Sequence, residues 1–296
     1  MERQEARLAW LLVLPALAII VLIALVPLLW ALWESFHLHD LRMPWRGQPW
    51  VGPANYMEAL TEARFWQAAG HTALFIVTSV TLELALGLVL ALILHRSYRG
   101  RGAIRAAALV PWVMPTVVAA LVWRFLFESP SGVVNMLATE LGFMEQPFVW
   151  FIHATAAWVP LVLADVWKTT PFVALLLLAG LQSIDTTLYE AARIDGAGPW
   201  RQFTSVTLPL LRPALLVALI FRTLDAVRVF DLIYILTGGG PGTATEPLAL
   251  YTFHVLFQRL RFGYGAALSV LIFLLTFALA LIYIRVLGKD LLRPGA

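Results

Sequence analysis

EAARIDGAGPWRQFTSVTLPLLRP occupies Glu190–Pro213 of a 296-residue chain that is 60% hydrophobic. The stretch is too polar for a membrane core, and its residue order predicts an ordered helix-turn-helix rather than a linker. Thr187 and Glu190 have the Thr-x-x-Glu spacing of a capping box, in which each side chain satisfies the other's free backbone N–H. Leu188, Ala191 and Ala192 present a flat, small-residue face that another surface can approach closely. Gly196 suits the left-handed conformation that ends a helix, and Pro199 suits the first turn of a second one. Trp200, Phe203 and Val206 give that second helix an apolar side. Pro209 and Pro213 are expected to stop it where the chain re-enters an apolar environment.

What surrounds the hairpin sets the class. Only 13% of residues are charged and the mean hydropathy is +0.81, outside the range of soluble domains. Twelve tryptophans are many for this length, and a lipid bilayer gives them a use at its interfaces. A net charge of +3, with no basic cluster interleaved with aromatics, gives no reason to expect nucleic acid as a partner. The absence of cysteine excludes disulfides, thiolate metal sites and cysteine nucleophiles.

Six runs reach the roughly 20 residues needed to cross a bilayer: 8–33, 71–95, 104–127, 152–181, 211–236 and 265–287. The first follows Arg3 and Arg7, as a secretory signal would. It is far longer than the roughly 7–15 residues of a signal core and has no small-x-small cleavage site, so it reads as an uncleaved span. The 95–105 connection holds Arg96, Arg99, Arg101 and Arg105 without an acid, and the 182–210 loop and the 285–293 tail are also basic. The 128–150 connection holds Glu128, Glu140 and Glu145 and no Lys or Arg. Positive-inside bias therefore predicts that both termini and the 182–210 loop are cytoplasmic. Nothing marks a soluble domain, so 1–296 reads as one transmembrane domain.

The residues of the hairpin carry a resemblance. Glu190-Ala191-Ala192, Asp195-Gly196-Ala197, Phe203, Val206, Leu208-Pro209 and Pro213 match, position for position, the EAA motif of ABC-importer permeases, with Val206 where isoleucine is usual. WVGPANYMEAL (50–60), VWKTTPFVALLLLAGLQSI (166–184) and FRTLDAVRVFDLIYILTGG (221–239) are similar to carbohydrate permeases of the maltose and trehalose kind, except that the usual Asn-Thr is His71-Thr72. The resemblance implies an all-α, six-span type I ABC-importer permease in the bacterial inner membrane. It implies that Glu190, Ala191, Ala192, Asp195, Gly196 and Ala197 form the coupling helix and turn that contact a cytoplasmic ABC ATPase dimer. It further implies a second EAA-type permease, an extracytoplasmic sugar-binding protein and a neutral sugar as cargo. No cofactor is expected on this chain, because ATP and Mg²⁺ would bind the partner ATPase.

The chemistry absent from the sequence agrees with that expectation. There is no Walker A motif, and GGGPGT (238–243) lacks the following Lys-Ser/Thr and reads as a flexible turn. His37-x-His39 reads as a solvated or interfacial pair, with no metal site and no catalytic residue expected. Glu83, Arg124, Asp165, Lys168, Arg222, Asp225, Arg228 and Asp231 lie in or near spans, where an ion costs about 2.5–3.5 kcal/mol, so each is expected to face protein or water. Glu83, Arg124 and Asp165 read as structural partners. Lys168, Arg222, Asp225 and Arg228 are candidates for the substrate path, since the resemblance points to this part of the fifth span. At about 100° per residue Arg222 and Asp231 fall on opposite faces of the fifth span. Arg222, Asp225, Arg228 and Asp231 are therefore not all expected to line one pathway, although adjacent members can pair as i,i+3 neighbours, and Asp231 reads as structural. A glycerol-3-phosphate or polyol permease is the alternative within the class. A membrane enzyme is the alternative outside it, but the outer acids have no catalytic partners.

Overall fold

A computed structural model describes residue 10 and residues 13–96 and 99–287. Arg3, Arg7, Lys289 and Arg293 lie outside the described residues. Within them the chain is helical, with isolated β-bridges (His37 with Trp50, Asp40 with Arg261) and no strand. The helices are α1 (Val13–Glu34), α2 (Ala54–Thr61), α3 (Ala63–His95), α4 (Arg101–Val113), α5 (Thr116–Leu126), α6 (Val133–Glu140) and α7 (Trp158–Gln182). There follow α8 (Thr186–Ile194), α9 (Pro199–Ala226), α10 (Asp231–Leu236), α11 (Leu248–Gln258) and α12 (Phe262–Leu287).

Five described helices, α1, α3, α7, α9 and α12, are long and apolar enough to span a bilayer, and α4 with α5 makes a sixth if that bent pair is one span. The run 104–127 is thus two helices meeting at 87°. Pro115 causes the break, because its ring disfavours the α region at the preceding residue. Met114 accordingly sits at φ −65°, ψ 134°. The expected fourth span begins later than 152: Trp150–Ile152 is a 3₁₀ turn and α7 starts at Trp158.

The fifth span departs further from expectation. Pro209 and Pro213 do not end the second hairpin helix, which continues from Pro199 to Ala226. Phe203–Thr207 forms a π turn in which Leu208 N–H donates to Phe203 O, five residues back. That wider turn delivers Pro209 to the start of the next α-helical segment, where its missing N–H costs least. The helix stops instead at 227–230, where the turn tightens (Arg228 N–H to Asp225 O, 3.0 Å; Val229 N–H to Ala226 O, 3.2 Å) and Phe230 leaves the helical region.

The chain divides into two compact units. Unit one comprises Met1–Trp66 and Tyr251–Leu274. Here buried Asn55 donates to Ser35 O (2.8 Å) and His37 O (3.1 Å), which fixes the segment after the first span. Glu62 accepts from the hydroxyls of Tyr251 (2.8 Å) and Tyr264 (2.5 Å), and Arg261 grips Glu58 with two bonds of 2.7 Å. The two histidines are not a solvated pair: His37 is buried with Nδ1 on Trp33 O, and His39 pairs with Glu34.

Unit two comprises Gln67–Leu250 and Leu275–Ala296. Its core packs α3, α7 and α9 through Ala91, Leu94, Val173, Ala174, Leu177, Leu181, Leu211 and Ala218. Small residues let the backbones approach, as is usual between membrane helices. A β-carbon added at Gly87 would lie 2.6 Å from Val173 Cγ1, and one at Gly180 would lie 2.6 Å from Ala214 Cβ. His71 and Thr72 hold the loop after α10, through His71 Nδ1 on Glu246 O (3.1 Å) and Leu248 N–H on Thr72 Oγ1 (2.9 Å). The 238–243 turn is tied rather than loose, because Thr245 Oγ1 bonds both Thr237 Oγ1 (2.8 Å) and Gly240 O (2.7 Å).

Candidate functional site

The hairpin forms for local reasons. Asp185, not Thr187, is the N-cap of α8, and its carboxylate accepts from Thr187 N–H at 2.9 Å. A charged acceptor two residues upstream makes the stronger bond to the free helix-end amides, so the expected capping box does not form. That bond holds the exposed Asp185 carboxyl below the usual carboxylate range. At the other end Gly196 takes φ +77°, with Gly196 N–H on Arg193 O (3.0 Å) and Ala197 N–H on Ala192 O (2.8 Å). This is the paired bonding of a Schellman cap. Gly198 caps α9 and Pro199 occupies its first turn.

Two contacts brace the hairpin: Tyr189 Oη with Thr207 Oγ1 (3.0 Å), and Gln202 Nε2 donating to Ala197 O (2.8 Å). Glu190, Ala191, Asp195 and Gly196 are exposed, with Ala192 and Ala197 half-buried. Ile194 is 87% exposed and Trp200 76%. A groove of about 990 Å³ runs between the end of α3 and the hairpin, bordered by Leu92, Arg96, Tyr189, Glu190, Trp200 and Phe203.

The intramembrane charges gather at a second place. Arg222, on α9, is 2% exposed and engages three carboxylates. Its Nε and Nη2 donate to Glu83 of α3 (2.5 and 2.8 Å), Nη2 also to Asp165 of α7 (3.0 Å), and Nη1 to Asp225 (2.5 Å). Glu83 is fully buried and accepts a further bond from Thr169 Oγ1 (2.6 Å). Four of the five N–H donors of Arg222 are therefore engaged inside the protein. Asp225 differs, since its side chain is 65% exposed although one oxygen is held.

A cavity of about 310 Å³ adjoins this network, and Asp165, Lys168, Arg222, Asp225, Arg228 and Asp231 all line it, with Trp112 and Phe230. Asp231 does not fall on the far face, because the break at 227–230 ends the straight helix that this expectation assumed. Lys168 Nζ donates to Trp112 O (3.3 Å) at the end of α4, and Arg228 Nε to its own helix at Leu224 O (3.2 Å). Arg124 lies elsewhere, donating to Ile235 O (3.1 Å) and so pinning α10 to α5. Thr169 was not singled out in the sequence, although its i+4 spacing from Asp165 places it on the same helix face. Among the described residues no group of three His, Asp or Glu side chains could hold a metal.

A bundle of apolar helices enclosing a charged, lined cavity and displaying a capped polar hairpin is the architecture of a membrane permease. The chain belongs to the family of binding-protein-dependent transport system inner membrane components, whose family model matches residues 83–292. It is similar to the trehalose/maltose transport system permease protein MalF of Thermococcus litoralis, with 43% identity over 97% of this chain and 95% of that protein. It is also similar to the trehalose transport system permease protein SugA of Mycobacterium tuberculosis, with 40% identity over 96% of this chain and 90% of that one. A crystal structure of a bacterial ABC transporter involved in the import of the acidic polysaccharide alginate contains a chain of the same fold, with a TM-score of 0.82, 23% identity and 97% of each chain covered. The protein is thus an ABC-importer permease of the type I fold and not an enzyme.

Proposed function

We propose that this permease forms one half of the transmembrane path for a neutral sugar of the trehalose or maltose kind, with 1–296 acting as a single permease domain. The names of the two relatives support the sugar, since their likeness extends along almost the whole chain. The observation that carries the reading furthest is the cavity lining, in which three cations (Lys168, Arg222, Arg228) stand among three carboxylates (Asp165, Asp225, Asp231). A glycerol phosphate or other anion would favour arginine forks left open to it. A neutral polyol instead needs donors and acceptors side by side. Lys168, Asp225 and Arg228 hydrogen-bond sugar hydroxyls in this reading, each bond worth about 1.5–3 kcal/mol. Arg222 borders the path through Asp225, and Asp231 shapes the wall.

The hairpin supplies the drive. Glu190, Ala191, Ala192, Asp195, Gly196 and Ala197 face a partner ATPase dimer that binds ATP and Mg²⁺. A second EAA-type permease completes the path, and an extracytoplasmic sugar-binding protein loads it. Both termini, the 95–105 connection and the hairpin are cytoplasmic, which the arginine distribution supports.

The test is uptake of radiolabelled trehalose and maltose by cells expressing the complete transporter with Asp225→Asn in this chain. Loss of uptake on the order of tenfold, with the complex still assembled, is expected. Normal uptake by an assembled variant would remove Asp225 from the path. Wild-type import of glycerol 3-phosphate in place of either sugar would replace the substrate.

A further inference from the structure

Asp225 raises a physical problem. Its side chain is 65% exposed at the cavity, and an exposed carboxylate on a free rotor would sample several orientations. One contact prevents that here, the 2.5 Å bond from Arg222 Nη1 to Oδ2. Arg222 is in turn fixed by Glu83, which does not reach the cavity wall, and by Asp165, which does. Glu83 takes its Nε and Nη2 together in the two-pronged geometry that matches a guanidinium to a carboxylate. Glu83 does not line the cavity and has no exposure of its own. Its Oε1 lies 2.6 Å from Thr169 Oγ1, a cavity-lining hydroxyl whose single proton is shared with Asp165 O at the same distance. One line of contacts therefore runs from Thr169 on α7 to Glu83 on α3, then to Arg222 and Asp225 on α9, beside the direct bond from Arg222 to Asp165.

We infer that Glu83 and Thr169 are positioning residues for transport: they lock the Arg222 guanidinium so that it presents the Asp225 carboxylate, one oxygen held and the other open, to the substrate. This rests on the reading of Asp225 as a path residue. The physical advantage is preorganisation. A carboxylate already oriented loses little rotamer freedom when a hydroxyl binds, whereas a loose one forfeits part of the bond energy to ordering. Removing only the Glu83 charge leaves Arg222 buried with Asp165 and Asp225, free to turn toward either. Glu83→Gln does this at nearly constant volume, because the amide offers one acceptor and turns a donor toward the other guanidinium N–H. Thr169→Val is gentler, since it deletes a single donor at constant shape and leaves every charge in place.

A double-mutant cycle separates positioning from helix packing. Glu83 and Asp225 share no hydrogen bond but both bond Arg222. The Thr169→Val cycle, which changes no charge, separates positioning through Arg222 from direct repulsion between the two carboxylates. Uptake of radiolabelled trehalose and maltose is measured per assembled complex for the wild type, Glu83→Gln, Thr169→Val, Asp225→Asn and both double variants. Glu83→Gln should lower uptake about tenfold, and Thr169→Val by a few-fold, in the wild-type background. Both effects should vanish once Asp225 is Asn, because nothing remains to be presented. Losses of the same factor in both backgrounds would overturn the inference and leave Glu83 a packing residue. If Glu83→Gln fails to assemble, the Thr169→Val cycle decides, and wild-type uptake by Thr169→Val would also overturn it. Wild-type uptake by Asp225→Asn alone would instead remove the path reading on which the inference stands.

Discussion

Gly180 of α7 lies against Ala214 of α9 so closely that a β-carbon at position 180 would be 2.6 Å from Ala214 Cβ and 2.9 Å from Leu211 Cδ1. The first of these neighbours cannot move without its backbone. Gly180→Ala should therefore separate two spans of unit two, at about 1–3 kcal/mol for an overpacked core. Thermal unfolding of the detergent-solubilised complex should shift down by several degrees. An unchanged midpoint would mean that the helices slide to make room.

Gly196 makes the opposite case. A β-carbon there meets nothing within 4 Å, so any penalty comes from φ +77° and not from crowding. Gly196→Val should strain the Schellman turn, since a β-branched residue is strongly disfavoured in the left-handed region. The protein should still fold and insert, while substrate-stimulated ATPase activity of the reconstituted complex collapses. Full activity in that variant would detach the turn from coupling.

Orientation is tested with two cysteines, one at position 99 and one at position 140, introduced singly into this naturally cysteine-free chain. In intact cells an impermeant maleimide should label position 140 and spare position 99. The reverse pattern would invert the topology.

Glu62 predicts an acid-sensitive step in unit one. Burial pushes its carboxyl up, but hydrogen bonds from Tyr264 and Tyr251, with the charges of Arg259 and Arg261, bring it below the ordinary 4.5. A depressed carboxylate contributes stability that is complete above its unfolded value and is lost as pH falls through its folded value. Thermal stability should therefore decline as pH drops below about 4.5, and Glu62→Gln should flatten that part of the curve while lowering stability at neutral pH. Identical acid limbs for the two proteins would place the titration elsewhere.

The features that could be read from sequence are those that one residue fixes through its own backbone. Gly196 takes the left-handed turn and Pro199 starts a helix whatever surrounds them. Span identity was equally legible, because hydropathy depends on composition rather than on neighbours. The cap of α8 was not, since Asp185 and Thr187 compete for the same amides and only geometry decides. Asp225 was legible as an i,i+3 partner of Arg222, but Glu83 and Asp165 were out of reach: they are 139 and 57 residues away, and their meeting depends on how three helices rotate about their axes. The break at 227–230 carries neither proline nor glycine, so nothing in VRVF (227–230) announced that Asp231 would come round to the cavity.

The continuous helical run of α9, which includes the π turn at Phe203–Thr207, would serve the proposed coupling as a drive shaft. Its 28 residues extend about 42 Å, from the hairpin turn to the break beside the cavity. At one end Tyr189 and Gln202 bolt the hairpin to the shaft, and at the other Asp225 and Arg228 stand at its tip. Residues 195–198 between α8 and α9 leave the helix, but Tyr189 with Thr207 and Gln202 with Ala197 brace that short turn, so in the proposed coupling a rotation of α8 passes into α9. On that proposal it arrives at the charged tip as a turn or a thrust.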